Sequence, residues 1–225
     1  MKLIIFSTII IILLIFILPA ILSFGINYIP QNDQPSLDKT QKIYGYLSVS
    51  QAFISKNANL SVIGVSLKNP NLTNKKDITL SVYEGNVLLR SSVLNGSHIS
   101  DGKFVKFKFE PIVDSENKSF LFILAAPATT QEEADNNNAL EVFLTNQRNE
   151  GVYELLVGDK IVPNTSVAFV SFSKPPYPIY VLETIYSKWL NKLMADWKFF
   201  TVYAILIFTL AGFLLYQLAR SRQGR

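Results

Sequence analysis

Hydrophobic positions along this chain follow two rules. At the ends they run without interruption, and in the middle they alternate with polar ones. Leu3–Phe24 and Phe199–Leu218 contain no charged residue. At about 1.5 Å of rise per helical residue, each run can cross a hydrocarbon core of roughly 30 Å. Only a helix satisfies its own backbone polar groups there, so two transmembrane helices are expected. Between them Ile63, Val65 and Leu67, then Ile78, Leu80 and Val82, then Val105, Phe107 and Phe109 alternate with polar or small neighbours. Successive strand side chains point to opposite faces, so each triplet predicts a strand with one buried face.

Six further strands are expected over 44–55, 87–93, 119–124, 140–145, 152–157 and 166–172. Turn-forming sequences separate them, including Glu84-Gly85-Asn86, Asn95-Gly96, Asp101-Gly102 and Gly158-Asp159. Nine short strands with no long helix among them predict a mainly β fold, an antiparallel sandwich or barrel flanked by the two transmembrane helices. Gly85-Asn86 has the form of a two-residue hairpin loop. Pro127–Asn138 is expected to be a long, mobile polar loop.

After Phe172, the run Lys174-Pro175-Pro176-Tyr177-Pro178 reads as a stiff spacer. Leu182, Ile185, Tyr186, Trp189, Leu190, Leu193 and Trp197 then recur at helical spacing. They predict an amphipathic helix, at the membrane interface with tryptophan at headgroup depth, or else packed on the lower edge of the sandwich or against a partner helix. The expected organisation is therefore an anchor (1–24), a linker (25–43), a sandwich (44–173), a spacer with juxtamembrane helix (174–198), a second span (199–219) and a basic tail (220–225). The first run exceeds the 7–15 apolar residues of a signal peptide and has no A-x-A-like site, so an uncleaved anchor fits better than a cleaved one.

Composition sharpens the picture. Half the chain is hydrophobic (49%) and only 17% is charged, where a soluble domain carries about 25%. Lys2, Arg220, Arg222 and Arg225 account for the whole net charge of +4, and the region between the spans is formally neutral. A neutral domain gives no support for nucleic-acid binding. Basic residues at both tails place both termini in the cytoplasm by the positive-inside rule. The absence of cysteine fits a bacterial cytoplasmic membrane protein whose central domain is extracytoplasmic, and it excludes thiolate chemistry. Five N-x-S/T triplets, at Asn59, Asn71, Asn95, Asn117 and Asn164, are expected to be chance occurrences.

Chemistry is sparse. The lone histidine, His98, reads as an exposed turn residue, and no P-loop, dinucleotide or serine-hydrolase motif occurs. A non-enzymatic protein is expected. Asp101 and Asp114 offer hard oxygen ligands that a structural calcium ion would accept, though without EF-hand spacing. Otherwise Asp101 shapes a turn and Asp114 caps one. Tyr44, Tyr46, Tyr83 and Tyr153 have the amphipathic rings that stack on sugars, and they equally suit ordinary sheet positions.

Three stretches carry a resemblance: Gln51-x-Phe53-Ile54-Ser55 with Asn59-Leu60-Ser61-x-Ile63-x-Val65-x-Leu67; Leu80-x-Val82-Tyr83 with Leu88-Leu89-Arg90; and Ile99-x-Asp101-Gly102 with Phe107-x-Phe109-x-Pro111-Ile112-x-Asp114-Ser115-x-x-Lys118-x-Phe120. Together they resemble an extracytoplasmic module of bacterial cell-envelope membrane proteins, similar to galactose-binding-like jelly rolls and found also with membrane glycosyltransferases. The resemblance implies a binding or accessory role in envelope polysaccharide handling, with a glycan ligand. The alternative is a structural or assembly subunit, its transmembrane or juxtamembrane helices holding a membrane protein partner within the lipid bilayer.

Overall fold

The structure, a computed structural model, describes residues 21, 27–31, 39–100, 103–147 and 149–223. The expected first span lies outside them except for Ile21, and so do Asp101 and Gly102. Two compact units are present, one formed by Tyr28–Pro176 and one that includes the helices from Tyr177 onward.

The first unit is mainly β. Its strands are β1 (Ile29–Pro30), β2 (Lys39–Ile43), β3 (Val49–Ile54), β4 (Leu60–Lys68), β5 (Asp77–Glu84), β6 (Val87–Asn95) and β7 (Lys103–Ile112). There follow β8 (Ser119–Ala125), β9 (Leu140–Thr145), β10 (Val152–Val157), β11 (Lys160–Val162), β12 (Ser166–Val167) and β13 (Phe169–Ser173). All pair antiparallel, in two sheets. One runs β1-β13-β4-β9-β12, with β2 added on β9 and β7 on β4; the other runs β11-β10-β3-β8-β5-β6.

Alternation explains the layering. Ile78, Leu80 and Val82 are fully buried, as are Phe120, Phe122 and Leu124, while their neighbours on each strand face outward. They meet Ile63, Val65, Leu67 and Phe107 from the other sheet in one core. Apolar surface withdrawn from water contributes roughly 25 cal/mol per Å², and a two-sided core of this kind is its main source here. Gly85, at φ +58°, occupies the first loop position of the β5–β6 hairpin, where a side chain would be strained.

Every strand expected from the alternation is present, with three differences. The stretch 25–43, expected as a linker, carries β1 and β2, which pair with β13 and β9. The strand expected over 166–172 divides at Ala168. Its N–H donates to Phe143 O on β9, and its carbonyl accepts from Ser66 on β4, so the chain changes partner at that residue. The strand β11, three residues long, is too short to alternate visibly.

The third difference is the 127–138 loop, which is pinned. Gln131–Asp135 forms a helix, α1, closed by a capping box: Glu133 N–H donates to Thr130 Oγ1, and Thr130 N–H donates to Glu133 Oε2. Buried Asn74 reaches it, donating to Asn138 O (2.7 Å) and Thr129 Oγ1 (3.3 Å). Lys76 Nζ lies 2.6 Å from Glu133 Oε2. That ammonium and the Thr130 N–H hold the Glu133 carboxyl below the usual carboxylate range. A depressed folded-state value means the ionised form supports the loop above the ordinary pKa, about 4.3, and that support is lost as pH falls through the lower value. Amides 129–137, corrected for intrinsic rate, are therefore expected to exchange at constant protection from pH 8 to 5 and faster in stronger acid. Glu133→Gln should abolish the dependence.

Four of the five N-x-S/T asparagines, Asn59, Asn71, Asn117 and Asn164, adopt left-handed backbone conformations. Asparagine tolerates that region better than most side chains, so a turn requirement accounts for its presence there. The fifth, Asn95, accepts from Ser97 N–H and caps the 3₁₀ turn that contains exposed His98.

In the second unit Pro178–Ala195 forms α2 and Trp197–Gln223 forms α3. Proline opens α2, as expected. Asp196 separates the helices: its Oδ1 accepts from Lys198 and Phe199 N–H, both at 3.1 Å, so it caps α3 and stops α2. Among the described residues no single helix is long and apolar enough to cross a membrane. Tyr180–Ala195 and Trp197–Phe213 meet that criterion only as a pair, bent by 109°. Trp189 packs edge-on against Tyr203 (5.3 Å), and Lys192 Nζ lies 5.2 Å from the Phe199 ring.

Candidate functional site

Irregular pairing around Ser61 accompanies a hollow on the sandwich. Leu60 and Val62 on β4 lie opposite Ser173 and Phe172 on β13, so Ser61 is one residue in excess. The extra residue lets Leu60 and Ile63, three apart, both reach the core. On the other side of β4 the same two residues lie opposite Ile112 and Lys108, so β7 has an excess in turn and swings away over Phe109, Glu110 and Pro111. Proline cannot donate to a ladder and is confined within sheets to edges and bulges. Pro111 at a bulge on an edge strand satisfies both conditions.

The bulge is held from behind. Arg90 on β6 donates through Nε to Glu110 O (2.8 Å) and through Nη2 to Pro111 O (3.2 Å), across the gap between the two sheets. Phe109 packs against the core while Glu110 stays exposed. The opening is about 320 Å³, at the lower end of ligand-sized cavities. Its floor is Ser61, 2% exposed, whose Oγ has no hydrogen-bond partner. Its walls include Tyr28, Lys108 and Lys174. Lys174 is fixed through its N–H to Asn59 O (2.9 Å), and Tyr28 precedes β1 where Ile29 pairs with Ser173.

The surface beside the hollow is aromatic and basic. Lys108 Nζ lies 5.9 Å from the Tyr28 ring, and Lys106 Nζ lies 4.7 Å above Phe172. Phe172 meets Phe104 edge-on at 6.2 Å. Gly64 lies under Phe104, and a Cβ there would run into the ring, so glycine is what allows the ring to lie flat on the strand. The region is formally neutral as a whole, yet this face concentrates positive charge.

The residues singled out from the sequence are scattered. Tyr44 and Tyr46 pair edge-on at 6.3 Å, around a turn whose Gly45 N–H donates to Thr129 O, at the end of the sandwich opposite the hollow. Tyr83 lies on β5 and Tyr153 on β10, both in the other sheet. Asp114 is exposed in the turn after β7, and its neighbour Ser115 locks that turn, accepting from Leu60 N–H and donating to Asn57 O. No three His, Cys, Asp or Glu side chains converge on a metal site among the described residues. Ser61, Lys108, Lys174 and Tyr28 carry no motif. Glu110-Pro111 inside an alternating run was the available signal, because a proline there announces a bulge.

No family model and no curated protein matches the chain. Among solved structures it is similar to the cysteine protease and lectin-like domains of a surface layer associated protein of Clostridium difficile. Identity is 7% and the TM-score 0.35, over 67% of this chain and 36% of that one. The chain thus spans about a third of that protein's length, and a likeness that weak transfers neither activity nor ligand.

Proposed function

We propose that this chain is a two-pass protein of the bacterial cytoplasmic membrane, with both termini cytoplasmic. Its β-sandwich, of the galactose-binding-like jelly-roll class, is a non-enzymatic module that binds carbohydrate in envelope polysaccharide handling. The observation that carries the reading is the solvent-open hollow beside Ser61, bordered by the Tyr28 ring, with the paired Phe172 and Phe104 rings outside its lining on neighbouring strands. Aromatic faces bury the apolar side of a sugar while neighbouring polar groups take its hydroxyls. The two uncharged runs and the basic tails support the membrane arrangement.

The test uses the full chain in phosphatidylcholine nanodiscs on a glycan array. Saturable binding to envelope-type glycans is expected, reduced at least tenfold in the double variant Tyr28→Ala, Phe172→Ala. Signal no greater than that of empty nanodiscs refutes the reading.

A further inference from the structure

The Ser61 hollow differs in chemistry from the hollow in the helical unit. A buried hydroxyl without a partner has lost its hydration with nothing in return, so a native site that keeps one calls for an explanation. Trp189 Nε1 is also buried without a partner and also borders a hollow, of about 200 Å³, but Leu193, Phe200, Tyr203 and Ile207 give that hollow an apolar lining. Around Ser61 the lining is charged. Lys108 and Lys174 contribute two ammonium groups that form no ion pair within 4 Å among the described residues, and Glu110 contributes one carboxylate. The balance is one positive charge above a hydroxyl able to donate.

We infer that the hollow holds one acidic group of a glycan, a carboxylate or a phosphate, between Lys108 and Lys174, with Ser61 Oγ donating to it from below and Tyr28 flanking the sugar ring. This rests on the carbohydrate-binding reading above and specifies its ligand as an acidic sugar. Hydrogen bonds from charged donors to an anion are the strong ones, and a hydroxyl on the protein interior adds direction. The bulge is what makes room. A regular ladder would place a β7 residue opposite Ser61 and close the space, and Arg90 holds the bulge open without entering it. Glu110 at the rim opposes an anion, which sets a second sign for the test.

The full chain in phosphatidylcholine nanodiscs is titrated calorimetrically with glucuronic acid, glucose 6-phosphate and glucose. The acidic sugars are expected to bind at least tenfold tighter than glucose, and more weakly as salt rises. Lys108→Gln and Lys174→Gln should each weaken them by about tenfold, on the scale of one charged hydrogen bond. Ser61→Ala should weaken them several-fold, and Glu110→Gln should tighten them. Lys108, Lys174 and Glu110 are exposed, so their variants leave the core untouched. Equal binding of glucose and the acidic sugars, indifferent to these variants, overturns the inference while the carbohydrate reading stands. If no sugar binds, both fall. Lysine-dependent binding of inorganic phosphate or of anionic vesicles, without any sugar, shows an anion site and also overturns the inference as stated.

Discussion

Phe53→Ala is expected to lower the melting temperature of the sandwich by about 10 °C. Phe53 is fully buried and touches three other rings: Phe120 at 6.2 Å and Phe122 at 6.1 Å on its own sheet, and Phe169 at 5.4 Å on the facing sheet. Phe122 also meets Phe169 at 5.1 Å, so the cluster fastens the two layers together. Removing a buried phenyl ring typically costs about 3–5 kcal/mol, through lost transfer energy and the cavity left behind. For a domain of this size each kcal/mol moves the midpoint by about 2–4 °C. Near-ultraviolet circular dichroism of the full chain in detergent measures the change. A shift of a degree or two would mean that the four rings do not hold the layers together. Phe53→Leu, which keeps more of the volume, should cost clearly less.

Gln51→Met should be nearly as damaging, for a different reason. Gln51 points into the core in register with Val49 and Phe53, yet it is polar and fully buried. Its amide nitrogen donates to Tyr153 O (2.7 Å) and Ala52 O (3.0 Å), and its oxygen accepts from Val167 N–H (3.0 Å). Both cross-strand partners lie where regular pairing fails. Tyr153 lies in the β10 irregularity between Val152 and Leu155, and Val167 comes just before the change of partner at Ala168. One side chain thus repairs a defect in each sheet. Methionine matches its length but supplies neither donor nor acceptor, leaving the buried Val167 N–H and the part-buried Tyr153 carbonyl without this partner, at up to about 1–3 kcal/mol each. A loss of about 2–4 kcal/mol is expected, with hydrogen exchange at Val167 accelerated beyond the global change. Unchanged protection at Val167 would refute the bridging role.

These two residues show what a sequence discloses. Phe53 lies in an alternating run, and its burial follows from the period alone. Gln51 breaks the same run, and its purpose depends on Val167, which is 116 residues away. The candidate site divides in the same way. The period of β4 and β7 was readable, but the excess residues at Ser61 and at Phe109–Pro111 appear only when the two strands are paired. Lys174 and Tyr28 reach the hollow through β13 and β1, and β1 is too short to leave a pattern. Asn74 holds the 127–138 loop through one amide, so a polar, acidic stretch that suggests mobility is in fact anchored. The tyrosines attracted notice as a residue type, and the sheets then placed them apart.

The two tryptophans, Trp189 and Trp197, both belong to the helical unit, and the sandwich contains only tyrosine and phenylalanine. Excitation at the red edge of protein absorbance therefore reports on α2 and α3 alone, and the β layers remain silent. Emission wavelength and quenching by lipid-borne bromine would read the environment of the helices, free of background from the rest of the molecule.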